Sequence, residues 1–309
     1  MLLWSAGFSV AAANPAADRY EFEVGSISAG ERRDNMRWSI AGPGFDPDII
    51  SELTWREVRI RELSLQGLMR FRWVSINASY QQGEVYDGQG QDSDYGGDNR
   101  SREFSRSYND TKGDVTRDIS LGGGLHIPVL QAHRWQFTPQ AGYSHHEQKW
   151  RMTNGRQAVS VAANMPEGVE GSPPPLGSFR GLNSSYRARW SGIWYGGTGR
   201  LRLSRFALTA AYHLHIVEYY GYANWNLIRT FEHPKSYEQR ANGLGHVLSL
   251  GGSVDVAFLR FFIRYDQQYW ETGEGYTRFF LASGERPTQP LNSVQWRSHA
   301  LHLGMLMHF

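Results

Sequence analysis

The chain has 309 residues, 40% of them hydrophobic and 20% charged, with 34 Gly, 11 Trp, 16 Tyr, 15 Phe and no Cys. The missing cysteines remove disulfide frameworks, thiolate metal sites and cysteine nucleophiles, and a formal net charge of +2, with Lys and Arg spread along the chain, leaves no footprint for nucleic acid. Beyond the apolar start no run of about eighteen apolar residues exists, which excludes a helical membrane protein, whereas a β-barrel stays open despite the negative mean hydropathy, because its strands alternate lipid-facing and lumen-facing residues.

Met1 to Ala13 is apolar and ends in Ala11-Ala12-Ala13, a small-residue cleavage pattern. It reads as a signal peptide clipped at its front, since no basic region precedes it. A first strand is the weaker reading, because Asn14-Pro15 follows at once and Pro interrupts strand pairing. From there period-two alternation predicts about ten strands, near 19–30, 51–69, 70–88, 114–127, 134–152, 184–202, 205–225, 239–257, 258–275 and 292–309. Phe206, Leu208, Ala210, Tyr212, Leu214 and Ile216 oppose Ala207, Thr209, Ala211, His213 and His215. Leu259, Phe261, Ile263 and Tyr265 oppose Arg260, Phe262, Arg264 and Asp266, and the final segment alternates Leu301, Leu303, Met305, Met307 and Phe309 against His302, Gly304, Leu306 and His308.

Charge on the enclosed face is the inverse of a soluble sandwich and suits a barrel surrounded by lipid. Glu21, Glu23, Glu57, Arg59, Arg61, Arg260, Arg264 and Asp266 are the expected lumen charges. Connections alternate between short turns, among them Pro128 to His133, and long polar loops at 31–50, 89–113, 153–183, 226–238 and 276–291. The fold class is therefore all-β: one antiparallel transmembrane barrel over 14–309 in a bacterial outer membrane, with turns and termini periplasmic and loops extracellular.

Candidate chemistry is sparse. Asp92-Ser93-Asp94 sets two carboxylates two residues apart at a strand end, where they face the same way and repel; the readings are a shared proton or water, or a solvated loop. His233, on the predicted continuation of the seventh strand, is either a water-activating base or polar lining. His145-His146 and His213-x-His215 lack a third ligand in sequence, so no metal is expected.

With these motifs the chain resembles the omptin family, ten-stranded outer-membrane barrels that act as surface endopeptidases. The resemblance rests on strand count, loop order, Asp92-Ser93-Asp94-Tyr95 as the family's D-x-D-aromatic motif, and Phe231-Glu232-His233 where the family carries D-x-H. It implies a water activated between an Asp pair and a His-Asp pair. Here the histidine's aspartate is Phe231, and Glu232 points to the other face of a strand. The resemblance further implies that Glu31 and the position of Arg229 bind a basic substrate side chain, although Arg229 would repel one. It also implies that outward Glu147, Lys149 and Arg189 grip lipopolysaccharide phosphates, with outer-membrane lipid and a peptide as partners and no cofactor beyond a bound lipopolysaccharide. Three functions remain: a divergent surface protease, a catalytically silent surface or adhesion barrel, and a narrow porin-like channel. About ten strands enclose little more than their own side chains, which disfavours a wide pore.

Overall fold

The structure is a computed structural model that describes residues 20–127, 130, 134–167 and 171–307. The expected signal segment Met1–Ala13, most of the turn Pro128–His133 and the terminal Phe309 lie outside the described residues.

The described chain is almost wholly antiparallel strand: β1 (Tyr20–Ile40), β2 (Ser51–Phe71), β3 (Val74–Gly97), β4 (Ser101–Thr111), β5 (Val115–Leu125), β6 (Trp135–Ser160), β7 (Gly177–Ser178), β8 (Ser184–Leu203), β9 (Phe206–Asn224), β10 (Tyr237–Val256), β11 (Leu259–Phe279) and β12 (Thr288–Met307). Neighbours pair in ring order β2-β1-β12-β11-β10-β9-β8-β6, then β4 and β5, then β3, which pairs β2 again and closes the barrel. Closure leaves no open edge, and in lipid an open edge would strand unpaired N–H and C=O groups. β5 fills the place between β3 and β6 near the turns (Ser79↔Ser120, Ser120↔Ser144), and β4 fills the same place further up (Asp92↔Ser107, Ser107↔Gln157). The two are one stave broken at 112–114, so twelve strands make the ten staves that the alternation predicts, with the two-residue β7 appended to β6.

The walls rise higher than expected. β1 runs on to Ile40, β3 to Gly97 and β6 to Ser160, and β4 occupies much of the predicted loop 89–113. These upper segments are polar and stand in water, where pairing on both sides holds the strand but nothing demands a clean apolar alternation.

Near the turn end the outward face is apolar all the way round: Leu63, Leu65, Ile119, Leu121, Ile193, Leu208, Phe261, Ile263, Leu301 and Leu303 are all exposed, with Trp73, Trp135, Phe206 and Phe258 at the lower rim. Leu303 is 63% exposed while His302, one residue earlier, is 1% exposed. β2 changes parity half-way. Glu57 adopts φ 50 at a register shift between Arg56 and Arg59, so inward residues are Leu53 and Trp55 above it and Val58, Ile60, Glu62 and Ser64 below. That bulge corrects the sequence expectation: Arg59 and Arg61 face outward above the apolar belt, and Glu57 is exposed at the bulge itself.

The interior has two storeys. The lower one is polar and charged. Arg32 donates to Asp34 (2.7 Å) and Asp118 (2.6 Å), His146 lies 3.1 Å from Asp118, Arg264 donates to Asp266 (2.9 Å), and His302 lies 3.5 Å from Asp266. The upper storey is aromatic: Trp55, Trp150, Trp190, Trp270, Trp296, Tyr186 and Tyr219 are fully buried, with Trp270 and Trp296 stacked at 5.4 Å and Trp55 against Tyr186 at 4.7 Å. Gly245 makes room for this layer, since a Cβ there would drive into the Trp270 ring.

Leu303→Arg places a charge in the apolar belt and should cost about 2–4 kcal/mol of stability in lipid. Urea unfolding in vesicles measures it, and an unchanged midpoint would contradict the belt.

Candidate functional site

At the far end, away from the turns, Asp92 and Asp94 of β3 lie opposite Leu53 and Ser51 of β2. Leu53 is fully buried within the barrel, and directly opposed residues share a face, so both carboxyl groups point into the mouth. Burial and the neighbouring Asp94 push the Asp92 carboxyl well above the usual carboxylate range. Burial raises Asp94 to about 6, with hydrogen bonds from Ser51 and Ser105 pulling the other way and Glu103 adding to the rise. Across the mouth the buried Tyr237 phenol has no hydrogen-bond partner, and burial together with the charge of Asp92 raises its pKa. Tyr237 packs edge-on against Trp38 at 5.8 Å and Trp225 at 5.2 Å.

His233 lies elsewhere. β9 ends at Asn224, so the expected strand continuation through His233 is instead a loop, and the histidine is exposed at the rim. Its Nδ1 is 2.7 Å from the Asn224 side-chain oxygen. Because Ala223 is buried inside the barrel, Asn224 faces outward, away from the Asp pair. Phe231, in the place of the dyad aspartate, stacks on Phe279 at 5.8 Å, and Glu232 accepts from Arg286 at 2.6 Å. Arg229 is exposed in the same loop. Glu31 belongs to β1 rather than to a loop; it lies on the outer face and accepts from the Tyr86 hydroxyl at 3.1 Å. The structure therefore brings Asp92 and Asp94 together but does not gather His233, Arg229 and Glu31 around them.

A second cluster lies outside, just above the apolar belt. Glu147 accepts from Arg187 (2.6 Å) and Arg189 (2.8 Å), Arg187 donates to the Tyr222 hydroxyl (2.9 Å), and Asp114 holds Lys149 at 3.0 Å with Arg151 at 3.8 Å. Burial opposes the charge of Glu147, but the two guanidiniums hold its carboxyl below the usual range. Arg187, Arg151 and Asp114 join the sequence-predicted Glu147, Lys149 and Arg189. Alternation along β8 puts Arg187 on the face of Arg189, so it was findable. Asp114 was not, because it enters through the break between β4 and β5. The histidine pairs diverge: His145 faces outward to Ser191 (2.7 Å), His146 faces inward to Asp118, and His215 takes Ser144 (3.0 Å). Among the described residues no group of three His, Asp or Glu is placed to hold a metal.

A closed antiparallel barrel with an apolar outer belt and charged lumen is the architecture of an outer-membrane protein. The family model for Protochlamydia outer membrane protein (Pom) matches residues 26–309, and the chain belongs to that family. Among solved structures, the outer membrane protease OmpT from Escherichia coli is similar at 14% identity with a TM-score of 0.73, covering 92% of this chain and 96% of that one, which shows an omptin-like fold. The translocator domain of the autotransporter NalP from Neisseria meningitidis matches at 8% identity and TM-score 0.35, over 93% of this chain and 89% of that one. No curated protein matches the sequence.

Asp94 predicts a pH dependence. Its folded carboxyl titrates near 6 against an ordinary value of 3.8, so the folded state holds the proton more tightly. The stability this contributes is complete below about 3.8 and is lost as pH rises through about 6. Asp94→Asn should flatten that segment of an unfolding-midpoint profile, and an unaltered slope would contradict the burial of this group.

Proposed function

We propose that this protein is a sealed, non-catalytic surface barrel that works through its outer face and far rim. The reading sets its short turns and both termini in the periplasm and its long walls outside the cell, as in other barrels with short turns at one end. The observation that carries it is the occupied interior. The aromatic storey fills the cross-section above the charged lumen with side chains that are fully buried, which leaves no continuous path for solute. Of the chemistry expected from the omptin resemblance, the Asp pair stands alone. A His held by an amide on the outer face has a fixed orientation but no carboxylate to stabilise its imidazolium, and no position from which to share a water with Asp92.

The outer cluster supplies a positive role. Arg187, Arg189, Lys149 and Arg151 outnumber Glu147 and Asp114 at the height where lipid headgroups begin. Arg guanidiniums pre-oriented by one carboxylate are suited to bidentate contact with phosphate, so the ligand of this face is the phosphorylated headgroup of lipopolysaccharide. A second reading, residual endopeptidase activity, draws on one observation: the raised carboxyls of Asp92 and Asp94 leave one of them able to act as acid while the other acts as base.

In planar bilayers the refolded protein should give no stepwise conductance, whereas steady channels would overturn the sealed interior. Reversing both arginines (Arg187→Glu with Arg189→Glu) should weaken lipopolysaccharide binding by at least about ten-fold, and unchanged binding would remove the lipid role. Against a mixed peptide library with lipopolysaccharide present, no cleavage is expected; cleavage abolished by Asp92→Asn and by Asp94→Asn would install the second reading instead.

A further inference from the structure

The turn end of the barrel is basic. Arg70, Arg72, Arg134, Arg200, Arg202 and Arg205 stand there, while Asp255, the acid of this rim among the described side chains, is taken by Arg260 at 2.6 Å. The whole chain is nearly neutral, with 32 basic and 30 acidic residues, so the excess is local. Arginines at a membrane edge lay their stems on apolar surface and reach the lipid phosphates with their heads. Two of them are seated on rings at the edge of the belt: Arg72 lies 5.4 Å from the Phe71 ring and Arg205 lies 5.2 Å from the Phe206 ring, and both rings are exposed.

One place on this rim is concave. Leu203 of β8 pairs Phe206 of β9, so the chain turns there on Ser204 and Arg205 alone. Beside the turn an open recess of about 510 Å³ is lined, among the described residues, by Arg134, Arg202, Leu203 and Ser204. That volume is within the usual range of small-molecule sites, roughly 300–1,000 Å³. The Arg202 amide donates to the Arg134 carbonyl at 2.8 Å, which keeps the two arginines side by side. Neither side chain meets a carboxylate among the described residues. Ser204 has φ 57, in the left-handed region that favours glycine, so a hydroxyl is held on the recess at a backbone cost. The recess also straddles the lip of the wall. Arg202 lies opposite the buried Ala207 and so leaves on the lumen side, whereas Leu203, Trp135 and Phe206 are exposed on the outer face.

We propose that this recess binds the headgroup of an anionic glycerophospholipid. The phosphodiester sits between the Arg134 and Arg202 guanidiniums, which suit bidentate contact with phosphate oxygens, and the Ser204 hydroxyl is a further donor. The acyl chains pass over the lip and run up the outer wall along Leu203, Phe206 and Trp135. A soluble phosphate would use only the basic half of this surface. A lipid without net charge would use only the apolar half and leave two guanidiniums unneutralised. The lipid belongs to the leaflet at the turn end, which is the periplasmic one under the orientation proposed above. Both the leaflet and the lipid therefore differ from those of the face that carries Glu147 and Arg189.

Native mass spectrometry of the refolded full chain in detergent tests this, with phosphatidylglycerol, phosphatidylcholine of the same chains, and glycerophosphate as probes. Binding in detergent does not depend on orientation, so this site can stand or fail apart from that reading. Phosphatidylglycerol should bind about ten-fold or more tightly than either comparator. Arg134→Gln with Arg202→Gln should reduce the phosphatidylglycerol retained by one molecule per chain. Arg156→Gln with Arg180→Gln, which removes the same charge from exposed positions at the far end, should leave that molecule bound. Heat-modifiable gel migration reports whether each variant remains a barrel, and if the double rim variant does not, Arg202→Gln alone is read in the same way. Equal binding of phosphatidylcholine, glycerophosphate binding as tightly as the lipid, or retention unmoved by the rim variants would overturn the site.

Discussion

A bilayer core offers no water to the backbone, and that one constraint organises this molecule. It requires every strand to find a partner on both sides, hence the ring closed by β2 and β3. It also requires grease outward, so that whatever polarity the strands carry is turned inward and must be settled there. A ring of ten staves is narrow enough for side chains to fill, and here they do so in two different ways at two heights. Within the belt, Arg32 of β1 binds carboxylates from β1, β2 and β5, tying staves that are not neighbours in the ring, and Arg264 binds Asp266 on its own strand β11. Above it, indole and phenol rings from β2, β6, β8, β9, β11 and β12 pack together as one buried layer.

The height of the walls has a consequence for chemistry. Strands that continue far above the belt carry Asp92 and Asp94 on β3, opposite Leu53 and Ser51 of β2, where burial raises both carboxyls. β9 stops at Asn224, short of His233, and the loop that follows turns its histidine to the outer face. An acid pair and a histidine that belong together in the omptin resemblance are thereby held by different kinds of structure on different faces. Likeness to OmpT, at 14% identity, is likeness of fold.

Much of the barrel was legible because lipid imposes a strict rule on residues such as Phe261, Ile263, Leu301 and Leu303, whose alternation survives in the bare sequence. The upper walls obey no such rule. Ser101–Thr111 reads as a polar loop, and only its pairing with β3 and β6 makes it a strand. Parity on β2 was misread because one residue, Glu57, bulges, and from there every side chain exchanges faces; Arg59 and Arg61 moved from the lumen to the outside by that step alone. The Asp92–Asp94 pair was legible from spacing. The Asn224 partner of His233 was not, because it depends on how the loop after β9 turns back, and neither was the Arg32 network, whose Glu62 and Asp118 partners come from other staves.

The inversion itself is open to a direct measurement. Since the chain has no native cysteine, single cysteines placed in turn from Ala300 to Met305 and spin-labelled in lipid vesicles report collision with dissolved oxygen, which concentrates in the bilayer. Oxygen contact should peak at Leu301, Leu303 and Met305 and fall at Ala300, His302 and Gly304. Peaks at His302 and Gly304, with Leu303 shielded, would mean that the apolar face packs inward and that the chain is no membrane barrel.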